Sequence, residues 1–449
     1  MDNARYSDMR LCAQKVGTEL DRFEALASEN QIRLALLKPI RKRLESAPLR
    51  AYFISKIYDY LKACDDYQSH SYSPYAHQVD VLFSQKIPFI YEVIITIQYL
   101  HNQILDGKCG VVSGEKINDN LLMGNLLKDL LYDYIEEEFE PNLSRKITKN
   151  VRKVFRLVDL GQEIEKNWNT YSTFQSSKTK PQFPDFDDIA SLKEIEPFLQ
   201  KLQEDLQDEN WQFTKLYLQR IFLTCGALFK LATQLMLELT GYQGSAKQQL
   251  LDFAGCYGIM RQIVNDNADY IPSFFQLSTK GKNPGDALSD LHNRNVTLPL
   301  IYYLDQDHNT CINNYLEGQQ QFIKEQEADV YDEMLGSFAL LKSIQNAKIL
   351  GILAKTNLNP QNPVFPLIAD SCDIVQWNKF VFPCYKSEQY KYYKKTPYYK
   401  QTKSLLKRLQ LSLNIQHEEA VRGGSPSQSV LQQQFFTDQE KFPGAAVKS

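Results

Sequence analysis

Four polar side chains interrupt the apolar helical pattern of Gly258–Tyr270: Gln262, Asn265, Asp266 and Asp269. At about 100° per residue, positions 262, 266 and 269 follow one helix face as i, i+4 and i+7, and Asn265 precedes Asp269 by one turn. Two carboxylates that close repel each other unless a cation lies between them, and oxygen ligands without His or Cys suit Mg²⁺ rather than Zn²⁺. The spacing indicates either a magnesium site or an ordinary solvated helix edge.

Net charge, cysteine spacing and hydropathy indicate which partners and which compartment to expect for this protein. The 449 residues carry a formal net charge of −3, which favours neither nucleic acid nor an anionic membrane as a partner. Eight cysteines show no CxxC spacing, so we expect reduced thiols in a cytoplasmic protein. The most apolar segment, Ile221–Thr240, is interrupted by Lys230, Gln234 and Glu238. This pattern predicts a buried helix and no transmembrane segment.

Apolar residues recur at helical spacing along most of the chain, and no stretch alternates as a strand does. The sequence predicts an all-α protein with one large helical bundle over residues 20–355. A Ser-, Thr- and Pro-rich segment at about 171–190 is expected to be a surface insertion loop. A C-terminal helical extension follows over 356–415, with tyrosines and lysines interleaved between 386 and 408. The Gln-, Ser- and Gly-rich residues 416–449 are expected to form a disordered tail.

Several motifs follow one another in an order that resembles one family. Phe253–Tyr270 reads FAxxYG followed by QIxNDxxDY, which is similar to the second aspartate motif of the trans-isoprenyl diphosphate synthases, commonly FQxxDDxxD. These are all-α class I prenyltransferases related to the terpene synthases. The resemblance spans about residues 49–304. Its other motifs are Gly161-Gln162, Cys225–Phe229, Gly281-Lys282, Asp290-Leu291 and Thr297–Pro299.

The first aspartate motif departs from the family pattern. HDDxxD has become HNQxxD, so that Asn102 and Gln103 replace carboxylates and only Asp106 keeps one. Family lysines are replaced by Thr224 and Asn295. The paired arginines that follow the first motif are absent, Arg261 stands where the family has Phe, and GGKRxRP is reduced to Ala47–Arg50.

The resemblance implies a Mg²⁺ site and a diphosphate site between the two motifs. The implied metal ligands are Asp106, Asn265, Asp266 and Asp269. The implied substrate-binding residues are Asn102, Gln262, Lys282 and Arg294.

The resemblance implies a divergent class I enzyme that ionises an allylic prenyl diphosphate with Mg²⁺ and then cyclises or transfers the prenyl group. Because each lost Lys or Arg removes a charge-assisted contact, binding of a second diphosphate for chain elongation is not expected. Two alternatives stay open: prenyl transfer to a peptide acceptor, and an inactive homologue that acts as a regulatory subunit. The chain is expected to form a homodimer or a heteromer with an active prenyl synthase.

Overall fold

The fold was obtained as a computed structural model that describes residues 2–46, 48–105, 114–179, 190–193, 195–196, 199–200, 203, 211–271, 288–305, 311–318, 326–372 and 386–421. Most of these residues lie in helices, and the described part contains no strand, only the isolated bridges Ser71–Tyr242 and Thr170–Asn295. The predicted all-α class is confirmed.

In the N-terminal half, neighbouring helices pack on one another. A 3₁₀ turn over Leu34–Leu37 and a π-helical turn over Leu82–Lys86 lie between its helices. The helices are α1 (Asp2–Glu29), α2 (Lys38–Ser46), α3 (Leu49–Lys62), α4 (Tyr67–His70), α5 (Val79–Val81), α6 (Ile87–Leu105), α7 (Gly114–Glu138), α8 (Pro141–Asn167), α9 (Tyr171–Thr179) and α10 (Ala190–Lys193).

The C-terminal half contains the helix of the second aspartate motif and the helices that pack most extensively on it. A π-helical turn, Phe222–Gly226, joins its first two helices, and the 3₁₀ turn Ala268–Tyr270 extends the third. The helices are α11 (Trp211–Ile221), α12 (Ala227–Thr240), α13 (Ala246–Asn267), α14 (Ser289–His292), α15 (Leu298–Leu304), α16 (Cys311–Leu316), α17 (Glu327–Gly336), α18 (Ala339–Thr356), α19 (Phe365–Ser371), α20 (Ser387–Tyr393) and α21 (Pro397–Val421).

The core is organised around α13, the helix of the second aspartate motif. It packs against α18, α12 and the π-helical turn Phe222–Gly226. Helix α6 packs against α7 and α3. Residues Trp211–Thr240 form a helix that is long and apolar enough to cross a bilayer, but 78% of its most apolar window is buried inside the bundle. Such burial is typical of the core helix of a soluble protein and fits the predicted buried helix over Ile221–Thr240.

Two glycines allow α13 to approach the π-helical turn closely. A Cβ atom on Gly258 would lie 2.5 Å from the Cα atom of Gly226. No larger side chain fits between the two backbones at this point. Next to this contact, the rings of Phe53, Phe229 and Tyr257 pack with centroids 4.7–5.1 Å apart. The interior beside the motif helix is therefore filled by close-packed backbone and aromatic rings.

The structure corrects several boundaries. The first helix begins at Asp2, well before the expected start near residue 20. The expected insertion loop begins as helix α9, because Tyr171 and Phe174 are buried against the bundle. Helix α21 continues through residue 421, beyond the expected start of the tail at 416. Residues 180–189 and 422–449 lie outside the described residues, and the division of the chain at 355 stays a prediction.

The C-terminal extension packs on α18 through tyrosines. Tyr393 Oη donates to Gln345 Oε1, and Tyr398 Oη donates to Asn346 Oδ1 at 2.7 Å. Leu405 on α21 is 1% exposed. In turn, Ser343 Oγ on α18 donates to Asn267 Oδ1 on α13 at 2.6 Å. A continuous series of contacts thus joins the extension to the motif helix.

Candidate functional site

Helix α13 and its 3₁₀ extension place the four polar side chains of the second aspartate motif in two environments. Asp266 and Asp269 are 3% and 1% exposed, and Gln262 is half-buried. Asn265 is exposed, because it precedes Asp266 by one residue and therefore lies about 100° around the helix. The structure brings Gln262, Asp266 and Asp269 into the bundle and places Asn265 at its surface.

Asp266 accepts hydrogen bonds from two neighbouring side chains. Tyr217 Oη on α11 donates to its Oδ2 atom at 2.8 Å, and Gln262 Nε2 donates to its Oδ1 atom at 2.7 Å. Burial and the nearby Asp266 carboxylate raise the pKa of Tyr217 well above its ordinary value, so this phenol remains a neutral donor. Both oxygens of Asp266 thus have protein partners.

A buried arginine completes the surroundings of Asp266. Arg220 on α11 is 3% exposed; its Nη2 atom lies 3.7 Å from Asp266 Oδ2, and its Nη1 atom donates to Glu165 Oε2 on α8 at 3.2 Å. Burial alone would lower the pKa of Arg220, but Glu165 and Asp266 together raise it above its ordinary value. Sequence reasoning missed Arg220. The sequence did contain a signal, because Arg220 lies among apolar residues directly before Ile221. A cation buried in such a segment requires a carboxylate partner.

Asp269 holds the segment that follows the motif helix. Its Oδ2 atom accepts from Ser289 Oγ at 3.1 Å and from the backbone N–H of Asp290 at 3.0 Å, at the start of α14. Asn295 Nδ2 then donates to Glu165 Oε1 at 2.9 Å. Residues 288–297 are therefore tied to both α13 and α8.

Two amides, on α6 and α8, bond to each other. Gln162 Nε2 on α8 donates to Asn102 Oδ1 on α6. Asn102 is exposed and Gln162 is half-buried. A neutral amide pair thus occupies the position where the family has the first aspartate of HDDxxD. Asp106 and Lys282, the carboxylate and cation predicted to complete the site, lie outside the described residues.

Arg294 lies at the surface, at the end of the segment held by Asp269. Its φ angle is 55°, and its carbonyl oxygen accepts from the backbone N–H of Tyr171 at 3.1 Å. The guanidinium lies near the phenol of Tyr315, whose raised pKa it opposes. The contacts described for Arg294 therefore join it to α9 and α16, and its role in substrate binding stays a prediction.

A second group of charges surrounds Glu92 on α6. Glu92 is fully buried, and its Oε1 atom accepts from the backbone N–H groups of Arg50 and Ala51 at 2.8 and 2.9 Å. Burial and the neighbouring Arg50 lower the pKa of Arg43 to about 10. Two arginines therefore remain close together beside the start of α3, where the family has its N-terminal basic motif.

Comparison with known proteins agrees with the motifs and with the helical architecture. The family model described as polyprenyl synthetase matches residues 197–334. This match covers the second aspartate motif and supports the resemblance to the trans-isoprenyl diphosphate synthase superfamily. No curated protein sequence matches it.

Solved prenyl synthases share the fold at low sequence identity. A polyprenyl synthase from Caulobacter crescentus CB15, solved with calcium and isoprenyl diphosphate, is 17% identical with a TM-score of 0.50, over 78% of this chain and 95% of that one. A decaprenyl diphosphate synthase from Rhodobacter capsulatus is 17% identical with a TM-score of 0.51, over 81% and 97%. A geranylgeranyl pyrophosphate synthetase from Pyrococcus horikoshii Ot3 is 15% identical with a TM-score of 0.50, over 81% and 97%. These likenesses establish the isoprenoid synthase fold.

Within this prenyl synthase fold, the described donors do not fit a magnesium ion by themselves. No group of three or more His, Cys, Asp or Glu side chains suited to a metal occurs in the part of the chain that the structure describes. Mg²⁺ prefers near-octahedral oxygen ligands, whereas Asp266 faces a guanidinium and Asp269 already accepts two hydrogen bonds. The assignment of Asp106, Asn265, Asp266 and Asp269 as metal ligands stays a prediction.

Proposed function

We propose that this chain is a prenyl synthase homologue that does not ionise prenyl diphosphates itself and acts as the partner subunit of a catalytic prenyl synthase. The hydrogen bond between Gln162 and Asn102 carries the proposal. Two neutral amides that are hydrogen-bonded to each other offer no negative charge to a dication. Each amide that replaces a carboxylate ligand weakens the binding of Mg²⁺. Because the cations of the isopentenyl diphosphate site are also replaced, at Thr224 and Asn295, chain elongation by this subunit alone is not expected.

An exposed apolar surface supports a role in assembly. Leu121, Leu122 and Leu126 on α7 are 46%, 59% and 41% exposed. Neighbouring exposed leucines on one helix are typical of surfaces that bind another protein. This surface is available for the catalytic partner.

The proposal is tested by purifying the chain alone and together with a catalytic prenyl synthase from the same cell. We expect no diphosphate release from geranyl or farnesyl diphosphate by the chain alone, with or without isopentenyl diphosphate and Mg²⁺. We expect a defined complex with the synthase, and a change in the turnover or product length of that synthase. Leu122→Asp should weaken the complex, whereas Asp133→Asn, an exposed change further along α7, should not. A chain that makes no complex and leaves the synthase unchanged contradicts the proposal.

A second candidate is ionisation of a single allylic prenyl diphosphate, as in a terpene synthase or a prenyltransferase. The retained NDxxD sequence at 265–269 favours it. A terpene synthase needs no isopentenyl diphosphate, so the lost cations count less against this activity. Magnesium-dependent release of diphosphate from farnesyl diphosphate alone, lost in Asp269→Asn, would favour this candidate over the partner-subunit proposal.

A further inference from the structure

Arg220 connects the second aspartate motif to helix α8. Its guanidinium lies between Asp266 on α13 and Glu165 on α8, at 3.7 and 3.2 Å. The side chains of Arg220 and Asp266 are each 4% exposed and that of Glu165 is 17% exposed. Three helices, α8, α11 and α13, therefore each contribute one charged group to a single buried cluster.

A cation is required at this point because of the carboxylates. An unpaired buried charge is strongly unfavourable, and two carboxylates around one site need positive charge between them. A guanidinium meets this need with a fixed planar fork of five N–H donors, and it stays charged at every accessible pH. In the described part of the chain, Arg220 Nε and Nη2 form no hydrogen bond, so electrostatic attraction rather than a bidentate contact joins Nη2 to Asp266.

The neighbouring contacts extend the cluster to the loop beyond the motif. Glu165 also accepts from Asn295, and Asp269, one turn after Asp266, accepts from Ser289 and Asp290. Loss of the positive charge of Arg220 would therefore change the packing of residues 288–297 as well as that of the three helices.

We propose that Arg220 is a permanent internal counter-ion for Asp266 and Glu165, so that the second aspartate motif acts as a metal-independent clamp joining α8, α11 and α13. The motif keeps its carboxylates because the fold requires them. A metal ion is not needed to neutralise them.

The clamp is tested by a double-mutant cycle on the full chain, with Arg220→Met, Asp266→Asn and the combined change, unfolded by urea in the presence of EDTA. We expect each single change to lower the unfolding midpoint, because each leaves a buried charge without its partner. The double change should lower the midpoint by clearly less than the sum of the two. Arg156→Met, which removes an exposed cation from α8, is the control and should leave the midpoint unchanged. An unchanged or raised metal-free midpoint in Asp266→Asn would overturn the clamp.

Metal binding to the wild-type protein gives a second test that does not depend on how the variants fold. We expect millimolar Mg²⁺ to leave the thermal midpoint unchanged, and Mn²⁺ to remain fully hydrated in electron paramagnetic resonance spectra. A Mg²⁺-induced rise in the midpoint, or protein-bound Mn²⁺, would overturn the inference. These measurements are separate from the test of function. A chain that turned over a prenyl diphosphate and still showed the coupling would keep the clamp and lose the partner-subunit proposal.

Discussion

Gln162 and Asn102 face each other across the two helices that carry the GQ motif and the altered first aspartate motif, and the amide of Gln162 donates to the amide oxygen of Asn102. A carboxylate at position 102 could accept the same hydrogen bond and would add one negative charge. The amide is therefore compatible with the local geometry, and what it removes is charge.

The double change Asn102→Asp/Gln103→Asp restores two carboxylates to α6. We expect no magnesium-dependent diphosphate release and no Mg²⁺-induced rise in thermal midpoint, because Arg220 already neutralises the opposite carboxylate. The assay uses geranyl, farnesyl and geranylgeranyl diphosphates, with Asn125→Asp on the exposed face of α7 as the control. Turnover in the double variant alone would show that amide substitution was the main obstacle to activity.

Removing the charge of Glu165 should destabilise the chain. Glu165→Gln keeps the size of the side chain but withdraws the carboxylate from Arg220, and we expect the free energy of unfolding to fall by about 1–3 kcal/mol. Glu163→Gln changes an exposed residue of the same helix and should stay within about 0.5 kcal/mol of the wild type. Urea unfolding followed by circular dichroism measures both. Equal effects of the two changes would mean that the ion pair at 165 contributes nothing.

The close contact between Gly226 and Gly258 predicts a loss of stability in Gly258→Ala. The added methyl group would clash with the backbone of Gly226 in the π-helical turn Phe222–Gly226. Overpacking of this kind costs about 1–3 kcal/mol. Gly17→Ala has no atom within 4 Å of its new Cβ atom and should stabilise α1 by about 0.5–1 kcal/mol. Opposite signs of the two shifts in unfolding midpoint are the expected result. A neutral Gly258→Ala would show that α13 can move away from the turn.

Two leucines of α21 test whether the C-terminal extension belongs to the folded unit. Leu405 is buried, and Leu405→Ala should cost about 2–5 kcal/mol. Leu411 is 49% exposed, and Leu411→Ala should change the free energy of unfolding by less than about 0.5 kcal/mol. A small effect at Leu405, together with proteolytic release of residues 386–449 from an intact remainder, would show that the extension folds separately.

His101 provides a pH dependence with a defined sign. Burial lowers its pKa below the ordinary value, with Asp159 opposing and Lys128 adding to the shift. The unfolded chain then binds more protons than the folded one between the lowered pKa and about 6.5, so stability should fall as the pH decreases through this window. His101→Gln should reduce that slope, and His77→Gln, at an exposed position, should retain it. Identical slopes in all three proteins would contradict the assignment.

The sequence predicted the all-α class because helical periodicity is strong and continuous, and it placed Gly258–Tyr270 in a helix, which the structure shows as part of Ala246–Asn267 and the 3₁₀ turn Ala268–Tyr270. It missed the helix over Tyr171–Thr179, where two buried aromatic residues determine the packing in a segment with little apolar periodicity. The sequence predicted a loop there because Ser, Thr and Pro, which are common in turns and loops, are frequent in the segment.

The candidate site could be predicted only in part. The spacing placed Asp266 and Asp269 on one helix face, but it could not show that Arg220 lies against Asp266, because a helix pattern contains no information on contacts between distant segments. It also grouped Asn265 with its neighbours, although residues one position apart face different directions. Which polar group is buried depended on the packing of α11 and α8 around α13.

The cluster around Arg220 limits which single substitutions the chain tolerates. Substitution of either Arg220 or Asp266 alone leaves a buried charge uncompensated, and proteins seldom have stability to spare for such an intermediate. Arg220 and Asp266 would therefore have to change together for the fold to keep its stability.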